Sequence, residues 1–243
     1  MESPFQQAQG LLKYIGLFLS GVCHQFPEHS IALAGLHMPL CARCTGTYLG
    51  AWLAWLNLWL RGRSRAAWPP PVRVLFVLAL FFGLWAVDGV NSYLSFLTGR
   101  SILYTPSNLL RLATGLLNGF ALSLCVFPMF NFTVWREPRK VRVVSSLPEL
   151  AGMLVPLGLL GILLSSNVAA LRYPLVLLDV LAVVFLLGLV NSMIVMILLH
   201  RENRAEGWRQ ALLPLALGLV LAVAEVSAMA ALRYVWAPRL AIL

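Results

Sequence analysis

Charge is what this chain lacks most. Only 11% of its 243 residues are Asp, Glu, Lys or Arg, against roughly 25% in an ordinary soluble domain. The residues are 60% hydrophobic and the mean hydropathy is +0.83. A soluble fold of this size cannot hide that much apolar surface, whereas lipid solvates it and helices satisfy their own backbone groups there. No part of the length is left for a separate soluble domain. Acidic residues are the scarcer sign, 9 against 18 basic ones. No aromatic-basic surface pattern accompanies the excess, and basic loops have a simpler cause in topology, so it does not read as nucleic-acid binding. Soft metal ligands are few as well, with 4 Cys and 4 His. Segment 11–22 is apolar, but Cys23-His24-Gln25 follows it instead of a small-residue cleavage site, so it does not read as a signal peptide.

What is present is a series of apolar segments at about 8–22, 45–60, 72–97, 107–130, 147–171, 174–199 and 211–232, each near the length of roughly 20 residues that a membrane helix needs. The fold expected is all-α, a polytopic transmembrane bundle of six to seven spans. The first two segments are the weakest, one holding Lys13 and the other being short. Basic residues alternate between loops. Arg61, Arg63, Arg65 and Arg73 lie in one, Arg136, Arg139, Lys140 and Arg142 in another, and Arg201, Arg204 and Arg209 in a third. Two spans separate each from the next, so the three share a side, expected to be the cytoplasmic face of the cell membrane. That places the N-terminus inside, the C-terminus outside, and residues 23–44 at the extracytoplasmic surface. Trp68, Trp135, Trp208 and Trp236 fall near the expected interfaces.

The soft ligands are not scattered. Cys23, His24, His29, His37, Cys41 and Cys44 all lie in that one segment, leaving Cys125 and His200 isolated. Three chemistries suit Cys23-His24 with Cys41-x-x-Cys44. The two thiolates of the Cys-x-x-Cys pair, with Cys23 and a histidine (His24, or His29 or His37 in its place), compose a tetrahedral site for zinc or another divalent metal. A Cys-x-x-Cys pair at a helix start beside Arg43 suits thiol–disulfide exchange, an alternative function for the chain. A structural disulfide is the third possibility.

Ionisable groups inside spans are costly and are functional candidates by default. Asp88 lies in the third span and Arg111 in the fourth, at similar depth, so the two are expected to pair and are the candidates for catalysis. Asn108, Arg111, Thr114 and Asn118 form a polar stripe on the fourth span, with Gly115 and Gly119 allowing close helix approach. Asp179 and Glu225 fall at the same end of their spans, which suggests a polar cavity facing outward. Arg43 and Arg111 suit an anionic small molecule or lipid head group. Glu149 reads as a helix-start carboxylate. No repeat of the kind that marks many transporters is visible, so transport and a scaffold role in an assembly stay open as further alternatives.

Cys23-His24-Gln25, Pro27, Ser30 and then Pro39-Leu40-Cys41-Ala42-Arg43-Cys44-Thr45-Gly46-x-Tyr48-x-Gly50 resemble the bacterial and archaeal membrane family catalogued as domain of unknown function 2085. Asp88-Gly89, followed by Asn108-Leu109-Leu110-Arg111-Leu112-x-Thr114-Gly115, resembles its second signature. The chain departs from the pattern at His29, where an arginine is usual, and at Asn91, where a glutamine is expected. The resemblance implies a polytopic membrane protein with a Cys/His segment and implies no activity. It covers residues 20 to about 120. The chain is therefore read as a family-like membrane core over 1–130 and three further transmembrane helices over 131–243.

Overall fold

The computed structural model describes residues 10–33, 35–166 and 168–240. Seven α-helices run through them. After α1 (Leu11–Leu19) come a hairpin of β1 (Ser30–Leu33) and β2 (Leu36–Cys41), α2 (Ala42–Leu60), a short strand β3 (Ala66–Trp68), α3 (Val72–Thr98) and α4 (Asn108–Val134). A second short strand β4 (Arg139–Arg142), α5 (Leu147–Ser165), α6 (Arg172–Leu198) and α7 (Trp208–Leu240) complete the chain. β1 and β2 pair antiparallel, and β3 and β4 pair parallel.

Local chemistry sets the helix limits. Pro71 precedes α3, and Gly99, at φ 65°, ends it in the left-handed region open to glycine. The Ser107 hydroxyl caps α4 by accepting from the Leu110 amide at 3.2 Å. At α5, Ser146 accepts from the Glu149 amide at 3.4 Å, and the Glu149 carboxylate accepts from the Ser145 amide at 2.8 Å. Glu149 also pairs with Arg63 at 2.8 Å, a contact beyond its helix-start role.

The helices α3 to α7 are long and apolar enough to cross a membrane. Each matches one of the expected segments. The first expected span is realised as the nine residues of α1, about 14 Å at 1.5 Å per residue, short of a hydrocarbon core of about 30 Å; residues 8 and 9 lie outside the described ones. α2 has the weaker apolar signal because it is the central helix and meets protein on most of its length. Thr45, Gly46, Leu49, Gly50, Ala54 and Leu58 are buried along it.

Lipid removes the hydrophobic drive for helix pairing, so close packing has to replace it. Two glycine pairs four residues apart do this between α2 and α4. A Cβ on Gly115 or Gly119 would collide with the backbone carbonyls of Arg43 and Thr47. One on Gly46 or Gly50 would collide with those of Leu112 and Leu116. The backbones therefore touch, and both helices carry their functional side chains in fixed register. On the far side α6 supports α2, where Trp55 meets Phe185 with ring centroids 4.8 Å apart, and α7 lies on α6 with Gly218 against Ser192.

The three basic loops gather at one end, as their spacing predicts. The Arg139 amide donates to the Arg65 carbonyl at 3.1 Å and the Arg136 amide to the Ala205 carbonyl at 3.0 Å. Trp135, at the end of α4, is covered by protein. It is 1% exposed, packed against Trp208 with ring centroids 4.8 Å apart and covered by the Arg65 guanidinium 4.0 Å from its ring.

Candidate functional site

At the opposite end the chain between α1 and α2 folds back on itself. Gln25 is the pivot. It takes a left-handed backbone at φ 57°, is 4% exposed, and donates from Nε2 to the Gly16 carbonyl at 2.7 Å and the Pro39 carbonyl at 2.9 Å. Those two bonds tie α1 to β2 and bring Cys23 beside Cys41, whose amide donates to Cys23 Sγ at 3.2 Å. Cys41 is both the last residue of β2 and the N-cap of α2, so Cys44 follows one turn later. The ligand atoms of Cys23, His24 and Cys41 all lie within 4.8 Å of one another. Cys44, half-buried one turn along α2, lies near Cys23 and Cys41 but outside that three-residue group. All three cysteines are free thiols in this structure.

The thiols polarise one another. Hydrogen bonds from Cys23 and then Cys44 hold Cys41 far below the usual thiol range, helped by its place at a helix N-terminus. Cys23, engaged with Cys41, is pushed up. His24 is held below its ordinary value, first by burial and then by the charges of Arg233, Arg43 and Arg111, which favours the neutral ring that metals bind. His24 Nε2 lies 3.1 Å from His29 Nδ1; burial and then Arg111 lower His29 as well. His37, on β2, is not part of this group and borders a cavity instead.

A second polar cluster adjoins through Arg43, two residues beyond Cys41. Arg43 pairs with Asp88, donating from Nε at 3.0 Å, and also donates to Ser92 Oγ at 3.0 Å. The Tyr104 hydroxyl donates to the other Asp88 oxygen at 2.9 Å, and Thr114 Oγ1 lies 3.4 Å from the first. Asp88, 1% exposed, is thus fully engaged. The partner expected for it was Arg111; the structure gives it Arg43. Arg111 has turned to Asn108, donating to its Oδ1 at 2.8 Å, while Asn108 donates to the carbonyls of Glu28 at 2.9 Å and Ser30 at 3.1 Å. The polar stripe on α4 therefore fastens the hairpin with one residue and α3 with another. The acidic residues of the later spans meet different partners. Asp179, fully buried, lies 3.4 Å from Thr45 Oγ1, and Glu225 accepts from Asn191 at 3.1 Å.

Two contributors were not visible in the sequence. Tyr104 lies in the loop between α3 and α4 without any motif. Arg233, near the end of α7, donates to the carbonyls of Ser20 at 3.1 Å, Cys23, and His24 at 2.6 Å. It clamps the very backbone that presents Cys23 and His24.

The family described as predicted membrane protein, domain of unknown function 2085, matches residues 23–125. That interval holds the whole Cys/His segment and the Asp88 cluster, but not Arg233. An uncharacterized protein of Methanothermobacter thermautotrophicus is 30% identical over 103 residues, 42% of this chain and 82% of that protein. An uncharacterized protein of Methanocaldococcus jannaschii is 28% identical over 129 residues, 51% of this chain and 76% of that one. No solved structure matches the chain.

Proposed function

The chain belongs to the domain of unknown function 2085 family of predicted membrane proteins, and we propose that it holds a zinc-type divalent ion at one end of its helical bundle, with Cys23, His24, Cys41 and Cys44 as ligands. The observation that carries this is the convergence of the Cys23, His24 and Cys41 ligand atoms within 4.8 Å, from positions 18 residues apart. Cys44, one turn along α2, completes a three-sulfur, one-nitrogen set of the kind tetrahedral zinc takes. Three thiolates and a divalent cation leave one net negative charge, and Arg233, which donates to the Cys23 and His24 carbonyls, lies beside it to answer it. Four protein ligands fill the tetrahedron, so the ion's work in this reading is to lock α1, the hairpin and α2 together rather than to activate water. The gathered basic loops support a cytoplasmic position for the opposite end, and in this reading the metal lies at the extracytoplasmic surface of the cell membrane.

The test is metal stoichiometry with a thiol count, on protein purified in mild detergent without chelator. The reading expects about one zinc per chain and loss of metal in Cys41→Ser and Cys44→Ser alike. Metal-free protein with two of the three clustered cysteines oxidised would sink it and favour thiol–disulfide exchange by Cys41 and Cys44.

A further inference from the structure

Two cavities meet at the hairpin end of α4 and α5. One, of about 510 Å³, lies beneath the hairpin, with Glu28, Ser30, His37 and Asn108 among its walls. The other, of about 600 Å³, runs between the two helices and is bordered by Ala113, Leu116, Leu154, Gly158 and Ile162. Leu109, Leu112 and Ser165 border both, so the two form one continuous cleft, apolar along its length and with a few polar side chains at its otherwise apolar mouth.

Its dimensions fit one half of a bilayer. The apolar part follows α5 from Leu154 to Ser166, about 18 Å at 1.5 Å per residue, beside about 15 Å for half of a 30 Å hydrocarbon core. Both helices are membrane spans by length and composition. Small residues in spans usually admit a neighbouring helix, as Gly115 and Gly119 do. Gly158 does the reverse, since a Cβ there would meet nothing within 4 Å. His37, whose Nδ1 has no hydrogen-bond partner among the described residues, stands at the mouth.

We infer that the cleft seats one lipid from the leaflet on the hairpin side, with an acyl chain between α4 and α5 and a polar head group hydrogen-bonded to His37 beneath the hairpin. The surrounding medium selects this occupant. Hydrocarbon chains are what reaches a groove between two spans, and only an amphiphile matches a groove of leaflet depth with polar side chains at its mouth. The inference stands whether or not the cysteines hold a metal.

The experiment uses the full chain in vesicles of phosphatidylglycerol or of phosphatidylcholine, each doped with the same lipid carrying a photoreactive acyl chain, and maps the crosslinks by mass spectrometry. In at least one of the two lipids, label should concentrate on Leu116, Leu154 and Ile162 above the exposed α3 residues Phe76 and Leu80. Gly158→Leu, which fills open space and should leave thermal stability unchanged, should remove most of the cleft label, and His37→Phe should lower it. Cleft label no stronger than that on α3 would overturn the proposal in the wild-type protein alone. So would label unchanged by Gly158→Leu, or α5-to-α5 crosslinks between two chains with the cleft shielded from lipid.

Discussion

The two ends of this molecule use arginine in opposite ways. At the basic end, arginines are numerous and mostly exposed. Arg136 pairs with Glu206, both more than half exposed, and Arg65 lies over Trp135. At the Cys/His end three of them are committed. Arg43 is locked to a buried carboxylate, Arg111 is 6% exposed and joined to Asn108, and Arg233 holds three carbonyls. Exposed pairs gain little in water, whereas a charge out of water must be matched group by group. The first end is built to sort topology, the second to hold a geometry.

That contrast can be broken by substitution. The largest effect should come from the contact that fixes the register of the site itself. Gly119→Leu drives a side chain into the Thr47 carbonyl, and folded protein should be lost from size-exclusion profiles in detergent, while Gly158→Leu, facing open space, should behave as wild type. Next, Asp88→Asn leaves Arg43 without its counter-charge and should lower stability by about 3–5 kcal/mol, measured by unfolding in detergent; adding Arg43→Gln should recover part of the loss. Arg233→Gln should keep the fold but loosen the Cys23–His24 backbone, weakening metal affinity about 10- to 100-fold in competition with a chelator. The smallest effect belongs to the other end: Arg136→Gln should shift stability by no more than about 1 kcal/mol, less still at high salt. A loss at Arg136 as large as that at Asp88 would erase the distinction between the ends.

The spans were legible in the sequence because lipid demands long apolar runs, though α1 and α5 each stop about six residues short of their expected lengths. The gathering of the basic loops was legible from their spacing, and the Cys/His cluster from its concentration in one segment. The pairing of Asp88 was not. Arg43 and Arg111 both lie near its depth, and what decides between them is the rotation of helices set by Gly46, Gly50, Gly115 and Gly119. That contact points Arg43 at Asp88 and leaves Arg111 to Asn108. Trp135 read as lying near an interface because it follows an apolar run; that the loop carrying Ala205 and Trp208 folds over it had no local signal. Arg233 lay beyond any local signal. It meets Cys23 across 210 positions, and a guanidinium that serves carbonyls needs no partner motif.

The central claim is a metal held by three sulfurs and one nitrogen, and X-ray absorption at the zinc edge reads that set directly. The account predicts about three sulfur scatterers near 2.3 Å and one nitrogen near 2.0–2.1 Å, with the sulfur count falling when Cys44 is replaced by serine. An all-nitrogen or all-oxygen shell, or one unaltered by that replacement, would contradict it.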